Sequence, residues 1–452
     1  MDKHGLVIIG GGGAGLTAAL AAKKTSYETD ITLITKDRLS YSPCALPFVI
    51  GREIEDFGKI SKGLEDICKN SAIKCVIDEA ISIDAKNKVV KTKHAEIPYD
   101  RLIIATGGNP SIPPIKGAGL KNVHTLHRIE DAQKIMDAAK DAKHAVVVGG
   151  GPIGLEAAAA FRELGIKVAL IEGLEYVLCR LFDPDFCQLI EKKLEEKGIE
   201  LIKGKNVEEI TGADKVKSVK VAGREVPADI VVLSTGVRPG IKIAENTGIE
   251  VSGGGIKTDE YTETNIKGIY AAGDCTITKS LLTGKHMPSL LGTTAIRQGT
   301  VAGINAAGGH AVFDGVLNST ILKIFDLEVG RCGLTEREAK AEGIETVTGR
   351  IKSTTTAEYY PKGKGIELKL IFETKEGRLI GSQIVGGGGV AGKINLLTFA
   401  ISRKATVEDL IKLEYCYTPP LAPSHNPIVL ASENAYRKMK RIKEKGNTTP
   451  PL

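Results

Sequence analysis

The sequence has no apolar run of the roughly 18 residues that a membrane-spanning helix requires, although 42% of its residues are hydrophobic. No bilayer-crossing helix is therefore expected. It also has no dense basic block: the formal net charge is only +6 and is spread along the chain. That balance speaks against nucleic-acid binding and leaves room for no more than a local attraction for anionic small molecules. There are eight cysteines, none in a CxxC pair and all irregularly spaced, which argues against a disulfide-stapled framework and a structural zinc site. Most are expected to be reduced and buried. The start, Met-Asp-Lys-His-Gly followed directly by LVIIGG, shows no basic n-region, apolar h-region or small-residue cleavage site, so a cytoplasmic protein is expected. At 452 residues there is room for about three domains of roughly 100 to 200 residues each.

What the chain does contain is one unit written twice. LVIIGGGGAGLTAALAA recurs as HAVVVGGGPIGLEAAAAF, each joining a strand-like apolar run to a glycine cluster and an alanine-rich helix. Both carry G-x-G-x-x-G spacing, at Gly10, Gly12 and Gly15 and again at Gly149, Gly151 and Gly154. The first glycine allows the tight turn, the second lets backbone amides approach a pyrophosphate, and the third lets helix and strand pack closely. The helix N-terminus then faces the anion. Two Rossmann-type dinucleotide units follow from this pattern.

After the second loop, KVALIE ends at Glu172, 18 residues beyond Gly154, where a carboxylate accepts hydrogen bonds from a ribose diol. Gly173 and Leu174 supply no arginine for a 2′-phosphate, so NADH is favoured over NADPH. In the first copy the matching strand ends at Thr35, where an acid is expected, and Asp37 lies two residues further on. Either the Thr35 hydroxyl or the Asp37 carboxylate could meet a ribose, and the sequence leaves that choice open.

Between the loops, YDRLIIATGGNPSIPP is an apolar strand that stops at Ala105-Thr106-Gly107 and enters a proline-rich stretch, the mark of a crossover into a new domain. ADIVVLSTGVRPG, containing Gly236 and ending at Gly240, closes the second unit in the same way. GIYAAGDC then forms a strand ending at Gly273-Asp274, followed by the helix-like LLGTTAIRQGTVAGINAAGG. One domain is thus expected to be split around another. From about Leu327 alternating strand patterns precede helical ones, the texture of a separate α+β domain. The basic RKMKRIKEKGNTTPPL reads as a helix end and a frayed tail.

The order and spacing of these motifs resemble the pyridine nucleotide-disulfide oxidoreductase superfamily over essentially the whole chain. The resemblance implies an α/β protein with two Rossmann-like domains, the FAD domain split around the NAD domain, plus a C-terminal α+β dimerisation domain, acting as a homodimer on a small-molecule substrate. The implied boundaries are 1–111 and 241–325 for the two parts of the FAD domain, 112–240 for the NAD(H) domain, 326–440 for the dimerisation domain and 441–452 for a basic tail. The first loop, Ala105-Thr106-Gly107, Gly236, Gly273 and Asp274 then fall at cofactor sites, with Asp274 reaching the ribityl and pyrophosphate region of FAD. The second loop, Glu156 and Glu172 fall to NADH.

Glutathione-reductase-like members carry a CxxxxC redox pair, whereas SYSPCALPF holds one cysteine, Cys44, with Ser40 in an SxxxC arrangement. This resembles the single-cysteine branch of coenzyme A-disulfide reductases, NADH oxidases and NADH peroxidases. A lone sulfur needs an outside partner to hold the oxidised state, so Cys44 is expected to carry CoA as a mixed disulfide or to become a sulfenic acid. Peroxidases and some oxidases of the branch have a histidine inside the first glycine loop, where this chain has Gly13. That difference favours reduction of CoA disulfide, CoA persulfide or polysulfide, with an NADH oxidase using dioxygen or peroxide as the alternative. TTAEYYPKGKGIELKL and YCYTPPLAPSHNPI resemble segments whose tyrosines reach the partner subunit's cysteine, which makes Tyr360 and Tyr417 candidates for protonating a departing thiolate. His425 is a further proton-donor candidate, and Lys23, Lys24 and Arg38 are candidates for CoA phosphates. No metal site and no fused sulfur-carrier domain are expected.

Overall fold

Leu6–Ile9, four buried apolar residues, is the middle strand of a five-stranded parallel sheet in the order Ile269–Ala271, Arg101–Ile104, Leu6–Ile9, Ile31–Thr35, Lys74–Ile77. Its near-continuous apolar strands are what a sheet covered on both faces requires. Alternate residues point to opposite sides. Leu6, Ile8 and Leu33 pack with Ala14, Ala18 and Ala302 of helices Gly13–Thr25 and Gly292–Ala306. Val7, Ile9 and Ile34 pack with Ile83 and Val90 of the meander Ala80–Asp84, Val89–Thr92, Glu96–Pro98. The two helices touch backbone to backbone: a Cβ at Gly299 would lie 2.3 Å from the Ala14 carbonyl oxygen, and one at Gly303 2.2 Å from that of Ala18. These glycines press the first-loop helix against its neighbour.

The computed structural model describes residues 5–446. The chain forms two compact units. The first, just outlined, takes in the chain up to Ala142 with Gly212–Val216 and Ile230–Val316; the second comprises Lys143–Thr211, Lys217–Asp229 and the chain from Leu317 onward.

In the second unit His144–Val148, Lys167–Glu172 and Ile199–Lys203 pair in parallel, with helices Pro152–Glu163 and Pro184–Glu196 beside them. Both helices begin on proline, which loses no needed N–H at that position. The chain then builds a five-stranded antiparallel sheet in the order Thr320–Ile324, Leu327–Gly333, Leu379–Gly386, Gly365–Glu373, Thr346–Thr354. The last helix, Pro427–Gly446, lies so close to Thr346–Thr354 that a Cβ at Gly349 would be 1.8 Å from the Ala431 carbonyl oxygen. Residues 441–446 of the expected basic tail continue this helix, and 447–452 lie outside the described residues. The architecture is the α/β one read from the sequence. Among the described residues no helix is long and apolar enough to cross a membrane.

Candidate active site and nucleotide sites

The first glycine loop owes its shape to three constraints. Gly10 has φ +111°, and a Cβ there would be 2.1 Å from the Ala105 carbonyl oxygen; a Cβ at Gly15 would be 1.8 Å from that of Gly10. Gly12, by contrast, opens onto empty space at the N-terminus of helix Gly13–Thr25, which is where an anion would meet the helix amides. The second loop repeats the pattern, with Gly149 at φ +109° and Gly151 open at the start of Pro152–Glu163.

The two copies differ at the end of the following strand. The Glu172 carboxylate accepts from the Gly150 amide at 2.6 Å and from the Leu174 amide at 2.8 Å, which stations it beside the second loop. Thr35 holds the matching place in the first unit. It is 4% exposed, and its hydroxyl accepts from the Asp37 amide at 3.2 Å and donates to the Asp37 carbonyl at 3.3 Å. Its Oγ1 would be 2.7 Å from a Cβ at Gly11. Asp37 is the more open of the two candidates, with a side chain 42% exposed and paired to Arg128 at 3.2 Å.

Asp274 follows Gly273, whose φ is +85° and whose Cβ would press on Ala14 at 2.9 Å. Burial alone pushes the Asp274 carboxyl up to about 6, so it lacks compensation that hydroxyl donors would provide. The turn is fixed by Gln298, which no sequence motif singled out. Its buried side-chain oxygen accepts from the Gly273 amide at 2.9 Å, and its amide nitrogen donates to Thr278 Oγ1 at 3.0 Å. A polar residue three positions after Ala295 and four before Ala302, on the apolar face of a helix, was the available signal.

Ala105-Thr106-Gly107 and the Gly236 segment are joined. Thr106 Oγ1 donates to the Gly240 carbonyl at 2.6 Å, the Gly240 amide donates to the Gly107 carbonyl at 2.7 Å, and Gly108–Pro110 pairs antiparallel with Val237–Pro239. The two crossovers thus lie side by side.

Cys44 is exposed and outside any disulfide, in the turn Pro43–Ala45. Behind it the short helix Leu46–Ile50 buries Leu46, Val49 and Ile50, and ahead of it Leu39–Tyr41 pairs with Ser61–Gly63, Ser40 opposite Lys62. The cysteine is held out to solvent on a segment anchored at both ends. At Gly13 the nearest neighbour to an added Cβ is the Ile296 side chain, at 3.9 Å. Of the basic candidates, Lys23 is committed to the Tyr27 carbonyl at 2.9 Å and Arg38 to Glu65 at 3.1 Å; Lys24 is exposed.

In the second unit Glu156 is pushed up to about 7, burial outweighing a backbone hydrogen bond from Lys323. Tyr417 is partnered not with Tyr360 but with Tyr359, hydroxyl to hydroxyl at 2.7 Å, and this contact raises the Tyr417 pKa. Tyr359 adjoins Tyr360 in sequence, and only the fold distinguishes them. Tyr360 is 39% exposed, and His425 Nδ1 lies 3.2 Å from Ser424 Oγ. Among the described residues no cluster of His, Cys, Asp and Glu is placed to hold a metal ion.

Two open glycine loops at helix N-termini, an uncompensated carboxylate beside the first and a ribose-type acceptor beside the second fit two dinucleotides, one on each loop. Together with an exposed thiol they suit a dinucleotide-dependent oxidoreductase. Residues 4–303 match the family described as pyridine nucleotide-disulphide oxidoreductase, and residues 320–426 match its dimerisation domain. The chain belongs to the pyridine nucleotide-disulphide oxidoreductase family, whose members use FAD and NAD(P)H. It is 40% identical over 443 residues to an NADH oxidase of Methanocaldococcus jannaschii, covering 96% of this chain and 99% of that protein. It is 35% identical to an NAD(P)H sulfur oxidoreductase (CoA-dependent) of Pyrococcus abyssi, covering 95% and 97%. Its fold matches a NAD-dependent persulfide reductase from A. fulgidus with a TM-score of 0.93 and 36% identity, over 97% of this chain and 84% of that one.

Proposed function

We propose that this flavoenzyme passes electrons from NADH to CoA disulfide, CoA persulfide or polysulfide through Cys44. The observation that carries this reading is the cysteine exposed on its anchored turn, whose sulfur, as a thiolate, attacks a substrate sulfur by ordinary exchange. The CoA-dependent and persulfide-reducing relatives support it. Gly13, in the loop position where a histidine would serve oxygen chemistry, supports it further.

Bound FAD and NADH supply the two-electron chemistry that returns the oxidised cysteine to a thiolate. The chain's own groups bind, orient and handle protons. Gly12 and Gly151 leave room for the pyrophosphates, Glu172 accepts from the NADH ribose, and Asp274 accepts from ribityl hydroxyls. Asp37, rather than the buried Thr35, meets the FAD ribose. The Cys44 thiolate attacks one sulfur of the substrate, forms a mixed disulfide and releases one thiolate. Tyr417, kept protonated by its Tyr359 contact, donates a proton to the thiolate leaving the partner subunit's Cys44. The finer division into 1–111 and 241–325 for FAD, 112–240 for NAD(H) and 326–440 for dimerisation belongs to this reading, as does a cytoplasmic location, in keeping with eight cysteines outside any disulfide.

The test is NADH oxidation with CoA disulfide under argon, scored against thiol released. One NADH consumed per two CoA thiols, lost in Cys44→Ser, is the expected result. A second reading, NADH oxidase, is favoured by the Methanocaldococcus jannaschii relative. Oxygen consumption that CoA disulfide and polysulfide do not suppress, with no thiol released, would replace the first reading with the second.

A further inference from the structure

Cys68 and Cys75 take no part in the chemistry assigned to Cys44, yet the fold sets them against each other. Cys68 is on the helix Leu64–Asn70 and Cys75 on the edge strand Lys74–Ile77 of the first unit's parallel sheet. The turn between them is tight: the amides of Ser71 and Ile73 both donate to the Cys68 carbonyl, at 3.1 and 2.9 Å. It folds the strand back onto the helix, which leaves each thiol near enough to perturb the other's ionisation. Both are reduced. Cys68 is 0% exposed in the core with Leu33, Leu64 and Ile73, and Cys75, partly exposed, packs onto that core from the edge.

A core that needs only volume is filled by any pair of small apolar side chains. Two neighbouring sulfurs add the capacity to exchange two hydrogens for a bond. We propose that Cys68 and Cys75 form a second, reversible dithiol–disulfide site, oxidised by low-molecular-weight disulfides. Cys75, the solvent-reachable sulfur, attacks R–S–S–R as its thiolate, forming Cys75–S–S–R and releasing RS⁻, which takes up the proton Cys75 gave up. Cys68 then attacks the Cys75 sulfur and displaces the second RS⁻, which leaves with the Cys68 proton. Two protein thiols thereby lose two electrons and two protons, and the small disulfide gains both as two RSH.

Burial raises both thiol pKa values, that of Cys68 to about 12. Little thiolate is present, so the pair reacts more slowly than an exposed thiol, and a disulfide made from such weakly acidic thiols is also slow to be displaced. These are properties of a state set by the surrounding thiol–disulfide balance rather than of a turnover centre. The bond would tie helix Leu64–Asn70 to the sheet edge. That helix directly follows Ser61–Gly63, the strand paired with Leu39–Tyr41 just ahead of Cys44. The segment carrying Cys44 would be fastened at its far end.

The experiment exposes the holoenzyme to 2-hydroxyethyl disulfide in native buffer, quenches in acid, alkylates free thiols and digests with trypsin without reduction. The expected product joins peptides 63–69 and 75–86 in one species, about 2 Da lighter than their sum and separated again by dithiothreitol. Cys68→Ala should leave Cys75 carrying a mercaptoethanol adduct, and Cys75→Ala should leave Cys68 unmodified. Separate peptides in the wild-type digest, at a dose that fully modifies the exposed Cys416, would overturn the proposal. The linkage should also form in Cys44→Ser, so its presence or absence is read independently of the acceptor proposed for Cys44.

Discussion

Lys369 Nζ lies 2.9 Å from the Asp183 carboxylate, with the lysine side chain 2% exposed and the aspartate 5%. The same ammonium reaches Asp185 at 2.9 Å and Glu336 at 2.8 Å, and Gln383 also bonds Asp183. One cation thus gathers the residues that start helix Pro184–Glu196 and helix Glu336–Ala341. Removing one member of a buried ionic group leaves the others uncompensated, at a cost of about 3–5 kcal/mol. Lys369→Met should therefore lower the melting temperature sharply, and adding Asp183→Asn should recover part of the loss.

The pH dependence of that loss follows from the shifts. Burial pushes Asp183 up, but Lys369 and the hydrogen bonds outweigh it and leave the carboxyl below its ordinary 3.8. Its contribution is therefore present above 3.8 and lost as pH falls through the lower folded value. For Lys369 burial acts downward, and the carboxylates outweigh it, leaving the ammonium above 10.5. Its contribution is present below 10.5 and lost as pH rises through the folded value. The gap in melting temperature between wild type and Lys369→Met should be flat between these limits and close outside them.

Asp274 should behave in the opposite sense. Burial raises its folded pKa to about 6 from 3.8, so the folded apoprotein binds the extra proton and its stability falls as pH rises through that window. Apo Asp274→Asn should match wild type near pH 4 and melt higher than wild type near pH 8. The same variant should retain less FAD after purification, because the carboxylate acceptor is gone. A variant that melts lower at both pH values would assign Asp274 a purely structural role.

Glu172→Ala removes an acceptor shared by the Gly150 and Leu174 amides as well as the proposed ribose contact. A hydrogen bond to a charged group is worth about 1.5–3 kcal/mol, so KM for NADH should rise roughly 10- to 100-fold. The preference for NADH over NADPH should narrow, while kcat at saturating NADH changes little. An unchanged KM would remove Glu172 from the nucleotide site.

The parts of this protein that were legible in the sequence are those set by local geometry. Gly10 and Gly149 are spaced by the needs of a turn, and the strands end at Thr35 and Glu172 because apolar runs end there. The pairing of Thr106 with Gly240 joins residues 134 positions apart, and no local pattern announces it. Gln298 left a weaker trace, a polar residue among Ala295, Val301 and Ala302 on its helix face. In Gly365–Glu373 the buried run contains Glu367 and Lys369, an alternation that pointed to a compensated charge without naming Asp183 as its partner. The first-copy ribose acceptor stayed open because only burial separates Thr35 from Asp37.

The tyrosine contact gives a test in which a neighbour acts through the residue it touches. Tyr359 bonds Tyr417 at 2.7 Å and raises its pKa above the ordinary 10.0. Tyr417→Phe removes the proton donor and should lower kcat/KM for CoA disulfide about 100-fold, the low end of general acid catalysis. Tyr359→Phe keeps the donor and removes only what holds its proton. Its kcat/KM near neutral pH should therefore stay close to wild type, while the alkaline limb of the pH–rate profile moves to lower pH as Tyr417 returns toward 10.0. A limb that does not move in Tyr359→Phe, or a Tyr417→Phe enzyme with full activity, would take the pair out of the proton path and leave it a packing contact.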